Sequence, residues 1–278
     1  MNHPTHASSL DWQAALCQTL DNLRSRWPAD WPGLPTVLDA CVAQLWPQPP
    51  SLTPLPQQML GIAKTMAVQM ESLALTTSYE PHYHNRLHTA DALVSLCWLL
   101  KALGSQQHAV PDEWAAALLL AVTSHDALHP GGANKHLHEF EQQSAGLFQQ
   151  LAAAQGLSAQ WVEVVTQLIL RTDPSQVAAN HDKVVHTAFV FNLDWAVVLM
   201  NEADILASAT ATVGPQLGQQ LASEWERRQH PLHKVVGSDA GRLQFLSSLR
   251  FSTPASHTLC MPQTVASQMA QLKAQLAS

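Results

Sequence analysis

The sequence predicts an all-α protein, and three observations support that prediction. Apolar residues recur with helical spacing along most of the 278 residues. Alternating polar and apolar runs joined by hairpin turns are absent, and segments rich in Val, Ile and Tyr do not separate the predicted helices. Hydrophobic residues make up 46% of the chain, which is enough for a sizeable buried core.

The first predicted helix is capped by Ser9 or Asp11 and ends before Trp27-Pro28, and the second spans Pro35 to Trp46. A long helix from Gln57 to Leu75 follows a proline-rich connector. Further helices are predicted near residues 83–103, 112–124, 134–153, 158–171, 185–208, 214–229, 239–249 and 263–276.

The proline-rich connector, residues 47–56, suggests a division of the chain. Residues 1–56 are predicted to form an N-terminal helical cap or appendage, and residues 57–278 to form the main domain. His181 and His186, in and beside the polar stretch of residues 180–183, are interpreted as solvated loop residues.

Composition and charge exclude several classes of partner. The net charge is -7 and Lys and Arg do not cluster, so neither nucleic acid nor an anionic membrane is an expected partner. The four cysteines are scattered without a CxxC pair, as in proteins of a reducing compartment. We see no signal peptide and no apolar run of about 18 residues, so a cytoplasmic location is expected.

Histidine is the unusual residue type, with 15 copies, several of which fall into two tight groups. In the first group, His84 and His88 are four residues apart, so on a helix both side chains leave the same face. In the second group, His125 and Asp126 end an apolar helix, and His129 follows before a Pro-Gly break. An adjacent His-Asp pair at a helix end can reach one metal, because the last turn relaxes the angle between the two side chains.

These groups resemble the two signature segments of class I cyclic-nucleotide phosphodiesterases. Residues 83–91 match Tyr-His-Asn-x-x-His-x-x-Asp, and residues 125–134 match His-Asp-x-x-His-Pro-Gly-x-x-Asn, both in full. The resemblance covers roughly residues 79–252 and is weaker beyond residue 135. It implies a compact multi-helix bundle of the HD-domain and phosphodiesterase type, with residues 57–278 as the catalytic domain.

The resemblance also implies two divalent metal ions. His88, His125, Asp126 and Asp204 would bind the first ion, and Asp126 would bridge to a second ion otherwise held by water. A mixed His and carboxylate set suits zinc, iron or manganese at the first site. A bridging carboxylate with waters suits magnesium or manganese at the second.

The other expected roles follow from the same resemblance. A hydroxide bridging the metals would attack phosphorus, and His84 would act as general acid on the leaving alkoxide. His129 would hydrogen-bond metal-bound water, and Glu141 would orient waters and the acid histidine. Tyr83, Arg242 and Phe245 would contact the substrate. The expected reaction converts a 3′,5′-cyclic nucleotide to its 5′-monophosphate.

Departures from the family pattern fall mostly on substrate recognition. Glu202 stands where the family has a His before Ala-Asp, and Gln142-Gln143 replace a His pair. Arg242 takes the position of the glutamine that reads the purine edge, and Phe245 that of the aromatic that stacks on the base. Because Arg only donates hydrogen bonds, it suits guanine O6 and N7, a carboxylate or a phosphate better than adenine. A solvated surface position for Arg242 and core packing for Phe245 are the alternatives.

The sequence thus predicts a metal-dependent phosphodiesterase whose partner is a small-molecule phosphate ester, by resemblance a cyclic nucleotide. Two alternatives stay open: a hydrolase of the HD type for another phosphate ester, and a non-catalytic metal-binding sensor with the same fold. A metal-free structural protein is disfavoured by the matched site positions, and a cyclic-di-GMP hydrolase by the lack of a Gly-Tyr-Pro signature. The oligomeric state is also open.

Overall fold

The computed structural model describes residues 9–47, 53–77 and 80–277, and all regular secondary structure within them is helical, which confirms the all-α prediction. In chain order the helices are α1 (Ser9–Ser25), α2 (Leu34–Leu45), α3 (Pro54–Thr76), α4 (Arg86–Ser105), α5 (Asp112–Ser124), α6 (Glu139–Ala154), α7 (Ala159–Leu170), α8 (Pro174–Val184), α9 (Leu193–Ala209), α10 (Gly214–Arg227), α11 (His233–Val236), α12 (Asp239–Ser248), α13 (Pro254–Thr258) and α14 (Met261–Leu276).

The centre of the bundle is formed by α4, α5 and α9, which pack on one another and on α3, α2 and α7. Every residue of α5 from 115 to 124 is buried, and so are nearly all residues of α4 from 87 to 103. A helix that is apolar on all sides is stable only when neighbours cover it completely. The side chains at the ends of these helices therefore lie at a fixed position beside the core.

The start of α4 is set by Asn85, whose side chain accepts hydrogen bonds from the backbone N–H groups of Leu87 and His88. The same side chain donates to the carbonyls of Pro81 and His82, so the preceding turn is fixed as well. This cap corrects one expectation, because α4 begins at Arg86. His84 therefore precedes the helix and does not share a helical face with His88.

The N-terminal helices pack directly on the rest of the bundle. Helix α1 contacts α4, while α2 contacts both α3 and α4. Arg24 of α1 forms a buried ion pair with Asp91 of α4, one turn beyond His88. Helix α3 begins at Pro54, inside the predicted proline-rich connector, of which residues 48–52 lie outside the described part of the chain. The division at residue 56 stays a prediction.

Three helices were not predicted from the sequence: α8 and the short helices α11 and α13. Asp173 caps α8, its side chain accepting from Ser175 N at 2.8 Å, and Pro174 occupies the first helical position. The helix predicted from residue 185 begins only at Leu193. His181 thus lies within α8, where it is 2% exposed and hydrogen-bonded to Ser252 at 2.7 Å, so its interpretation as a solvated residue was wrong.

Within the described residues no single helix is both long and apolar enough to cross a membrane. Helices α9 and α10 pass that test only as a pair, which is bent by 98° at the break between them.

Candidate metal centre and active site

The four predicted ligands of the first metal lie together at the ends of three core helices. His88 comes from the first turn of α4, His125 and Asp126 follow α5, and Asp204 lies in α9. His88 Nε2 lies 2.9 Å from Asp204 Oδ1 and 3.3 Å from Asp126 Oδ2. His125 Nε2 lies 3.2 Å from Asp204 Oδ1 and 3.3 Å from Asp126 Oδ2. Four donor atoms therefore converge on one point, although 79 residues separate His125 from Asp204 in the chain.

The chemistry of this donor set fits a divalent cation. One donor atom each of His88, His125 and Asp204 lies within 4.8 Å of the others. His125 Nδ1 lies 2.8 Å from the Val122 carbonyl, so it is the N–H side of the ring and Nε2 offers its lone pair to the group. Burial opposes a charge on His125, but Asp126 and Asp204 outweigh it and raise the pKa of His125 to about 9. The two carboxylates therefore strongly favour positive charge at this point.

The acid candidate His84 is held by a carboxylate that the sequence analysis missed. Glu224 of α10 is fully buried, and its Oε1 lies 2.6 Å from His84 Nδ1. Its Oε2 accepts from the backbone N–H groups of Tyr83, at 2.8 Å, and His84, at 3.0 Å. Burial alone would raise the pKa of Glu224, but its hydrogen bonds with His84 and the Tyr83 backbone lower that pKa to about 2. Glu224 is thus an anion facing His84 at neutral pH.

Two glycines complete this arrangement. Gly131 and Gly132 have φ values of 78° and 118°, in the region that glycine adopts without strain. With this backbone the N–H of Gly132 donates to Glu224 Oε1 at 3.1 Å, and the N–H of Gly131 donates to His129 Nδ1 at 3.1 Å. The Pro-Gly break of the second histidine group therefore helps to fix both Glu224 and His129.

His129 stacks on His84 with a ring separation of 3.7 Å. Its burial, together with the nearby His84, lowers the pKa of His129 to about 3, so the ring is neutral at physiological pH. Because Nδ1 accepts from Gly131, the proton of the neutral ring is on Nε2. His129 is therefore suited to donate one hydrogen bond, and its expected contact with metal-bound water stays a prediction.

Glu141 does not contact His84 in the described structure, in contrast to its expected role in orienting the acid histidine. Its two carboxylate oxygens accept from Asn134 Nδ2 at 3.0 and 2.8 Å. Asn134 also lies within 3.2 Å of Asp173 Oδ2. Glu224 supplies the contact to His84, and the shared motif pattern gave no signal for it because Glu224 follows His84 by 140 residues.

Most of these groups line one cavity of about 590 Å³, whereas Glu224 contacts the lining residue His84 without lining the cavity itself. Phe245 and three further apolar side chains, Ile205, Leu221 and Trp225, lie on its wall with the metal-ligand group. Phe245 thus lines the cavity and also packs against the hydrophobic core, and its contact with the substrate stays a prediction. Tyr83 also lines it, with its hydroxyl 2.9 Å from Ser208 Oγ and its ring 4.8 Å from that of His88.

The structure does not support the base-reading role expected for Arg242, which is absent from the cavity lining. Its guanidinium donates to the carbonyls of Ser208, at 2.6 Å, and Thr210, at 3.0 Å, and to Gln268 Oε1 at 2.7 Å. These contacts tie α12 to the end of α9 and to α14. Glu202 also faces away from the cavity and accepts from the backbone N–H groups of residues 252 and 253.

The comparisons with known proteins agree with this geometry over part of the chain. The family model for 3′5′-cyclic nucleotide phosphodiesterase matches residues 83–154. The predicted resemblance to class I cyclic-nucleotide phosphodiesterases is confirmed for that segment. It contains both histidine groups and Glu141, whereas Asp204 and Glu224 lie outside it. None of the curated proteins matches the chain.

Proposed function

We propose that this chain is a metal-dependent phosphodiesterase that hydrolyses a 3′,5′-cyclic nucleotide to the 5′-monophosphate. The observation that supports it most is a single cavity that combines a His/Asp metal-ligand group with an imidazole paired to a buried carboxylate. The family match over residues 83–154 supports the cyclic-nucleotide substrate class.

His88, His125, Asp126 and Asp204 would hold the first divalent ion, and Asp126 would be shared with a second. When bound, such ions supply Lewis-acid charge for the phosphoryl oxygens and activate water. The zinc, iron or manganese expected at the first site fits its two imidazoles and two carboxylates. Magnesium or manganese is proposed for the second.

His84 performs the proton transfer in this proposal. Glu224 accepts a hydrogen bond from His84 Nδ1–H, so Nε2 is the ring nitrogen left to protonate the leaving alkoxide. Stacking on His129 restricts rotation of the ring, and the anionic Glu224 stabilises the protonated imidazole that this step consumes. Proton donation of this kind contributes about 10²–10⁴-fold to the rate.

The cavity suits a nucleotide in size and polarity. A volume of about 590 Å³ falls within the roughly 300–1,000 Å³ of small-molecule sites. We propose that the phosphate lies at the metal-ligand end and that the base packs against Phe245 and its apolar neighbours. Since Arg242 bonds to protein carbonyls, we assign no purine preference to it.

The test is a hydrolysis panel on protein supplied with Mn²⁺ or Mg²⁺. It contains 3′,5′-cyclic AMP and GMP, an aryl phosphodiester and an aryl phosphomonoester, each also given to Asp126→Asn. Asp30→Asn serves as a matched control, because Asp30 is exposed and remote from the cavity lining.

Hydrolysis of a cyclic nucleotide by the wild type and Asp30→Asn but not by Asp126→Asn is the expected result. Hydrolysis of the aryl esters alone would show that the substrate is a phosphate ester other than a cyclic nucleotide. Tight binding of a cyclic nucleotide without turnover in metal-loaded protein would favour a sensor.

A further inference from the structure

A second set of metal-ligating side chains, separate from His88, His125 and Asp204, lies beside the cavity that Glu141 and Asp173 line. His138 precedes α6, Glu141 lies in the first turn of α6, and Asp173 caps α8. One donor atom from each lies within 4.8 Å of the others. Glu141 is 6% exposed and Asp173 is 2% exposed, so both carboxylates are buried.

The negative charge of this set is met by hydrogen bonds and not by a basic side chain: Asp173 accepts from the backbone N–H groups of His138 and Ser175 and from the Ser175 hydroxyl. Asn134 Nδ2 carries two protons but lies within hydrogen-bonding distance of three carboxylate oxygens, two of Glu141 and one of Asp173. Among the described residues, neither carboxylate forms an ion pair with Lys or Arg. Two adjacent buried carboxylates are unfavourable as a pair of anions unless a cation lies between them or one of them is protonated.

The ring nitrogen Nδ1 of His138 faces the carboxylate of Asp173. Its Nδ1 is buried and has no hydrogen-bond partner. That atom lies 3.7 Å from Asp173 Oδ2, which is too long for a hydrogen bond. Two ligand atoms that each lie about 2.1 Å from one metal are separated by roughly 3–3.5 Å, so the observed spacing needs only a small adjustment to accept an ion.

We propose that His138, Glu141 and Asp173 form an additional divalent-cation site. One imidazole with two carboxylates suits Mn²⁺ or another first-row divalent ion. The bound ion offsets two of the four carboxylates that line the cavity, which are Asp126, Glu141, Asp173 and Asp204. This lowers the repulsion that an anionic ligand meets there. The site stands on the geometry of its own three residues and does not depend on the proposed hydrolysis.

The test is titration of the full-length, metal-stripped protein with Mn²⁺ by calorimetry, followed by metal analysis after gel filtration. His138→Gly removes the imidazole, and glycine accepts the φ of 60° that this position requires. Asp173→Asn removes one charge while keeping a residue that caps α8. His136→Gly, at an exposed histidine two residues away, is the matched control.

Both site variants should weaken one class of Mn²⁺ sites by more than about 100-fold, above the roughly 10–100-fold lost with groups that only support a ligand. His136→Gly should bind Mn²⁺ like the wild type. His88→Ala should lose a different class of Mn²⁺ sites and keep the class that His138 and Asp173 provide. Unchanged Mn²⁺ stoichiometry and affinity in folded His138→Gly and Asp173→Asn would overturn the additional site, even if cyclic nucleotides are hydrolysed. If the two site variants lose these Mn²⁺ sites but the wild type hydrolyses none of the tested esters, the additional site is supported and the proposed function is not.

Discussion

Replacing Glu224 by Gln removes one charge and changes almost no volume at the base of the cavity. Two N–H donors, from the His84 ring and Gly132, meet Oε1, and two backbone N–H groups meet Oε2. Whichever way the amide of the variant is turned, two donors face an NH₂ group. At least one of them is a backbone N–H that cannot change its role.

Each buried donor left without an acceptor costs about 1–3 kcal/mol, so Glu224→Gln should lower the free energy of unfolding by at least that amount. The protonated His84 also loses its counter-ion. We therefore expect kcat to fall by at least about tenfold, and by no more than the roughly 10²–10⁴-fold that a general acid supplies.

The assays are urea unfolding and kcat for a cyclic nucleotide. Glu226→Gln is the control, because Glu226 lies on the same helix and is exposed. Equal stability and equal kcat in Glu224→Gln and Glu226→Gln would refute the role assigned to Glu224.

Three further predictions concern residues outside the metal centre. Arg24→Met leaves Asp91 as an unpaired buried charge and should lower the free energy of unfolding in urea by about 3–5 kcal/mol. Adding Asp91→Asn should recover part of that stability, and no recovery would contradict a direct pairing of Arg24 with Asp91. Arg242→Gln should lower Tm without changing the ratio of cyclic GMP to cyclic AMP hydrolysis, whereas a changed ratio would restore its base-reading role. Burial, assisted by the nearby charge of Arg250, lowers the pKa of His181 from 6.5 to about 4. Between pH 6.5 and pH 4 the folded chain therefore binds fewer protons than the unfolded chain. Stability should therefore fall by up to about 3 kcal/mol from pH 6.5 to pH 4. His181→Asn should show a shallower fall, and an identical slope would contradict the assignment.

The central group of the site could be predicted from the sequence because its members are marked by local pattern. His125 and Asp126 are adjacent at the end of an apolar helix, and His88 follows His84 by four residues. Their convergence follows from packing α4, α5 and α9 together, which the apolar character of these helices requires. Asp204 needed the family resemblance, since a lone Asp in a helix has no pattern of its own.

The parts that could not be predicted depend on contacts between distant segments. Glu224 belongs to a polar helix and reaches His84 only because α10 turns back against the start of α4. Arg242 was assigned to the substrate by alignment, but its donors are satisfied by carbonyls at the end of α9. Helix α8 had a readable signal, Asp173 followed by Pro174, which the predicted boundary at residue 185 overlooked.

The most direct measurement is product analysis for a 3′,5′-cyclic nucleotide incubated with metal-loaded protein in ¹⁸O-labelled water. The proposed reaction predicts a 5′-monophosphate that carries one ¹⁸O on phosphorus, with product formation lost in His84→Ala and Asp126→Asn. Formation of the 3′-monophosphate would contradict the proposed reaction, and a bound nucleotide that yields no labelled product would contradict the proposed enzyme.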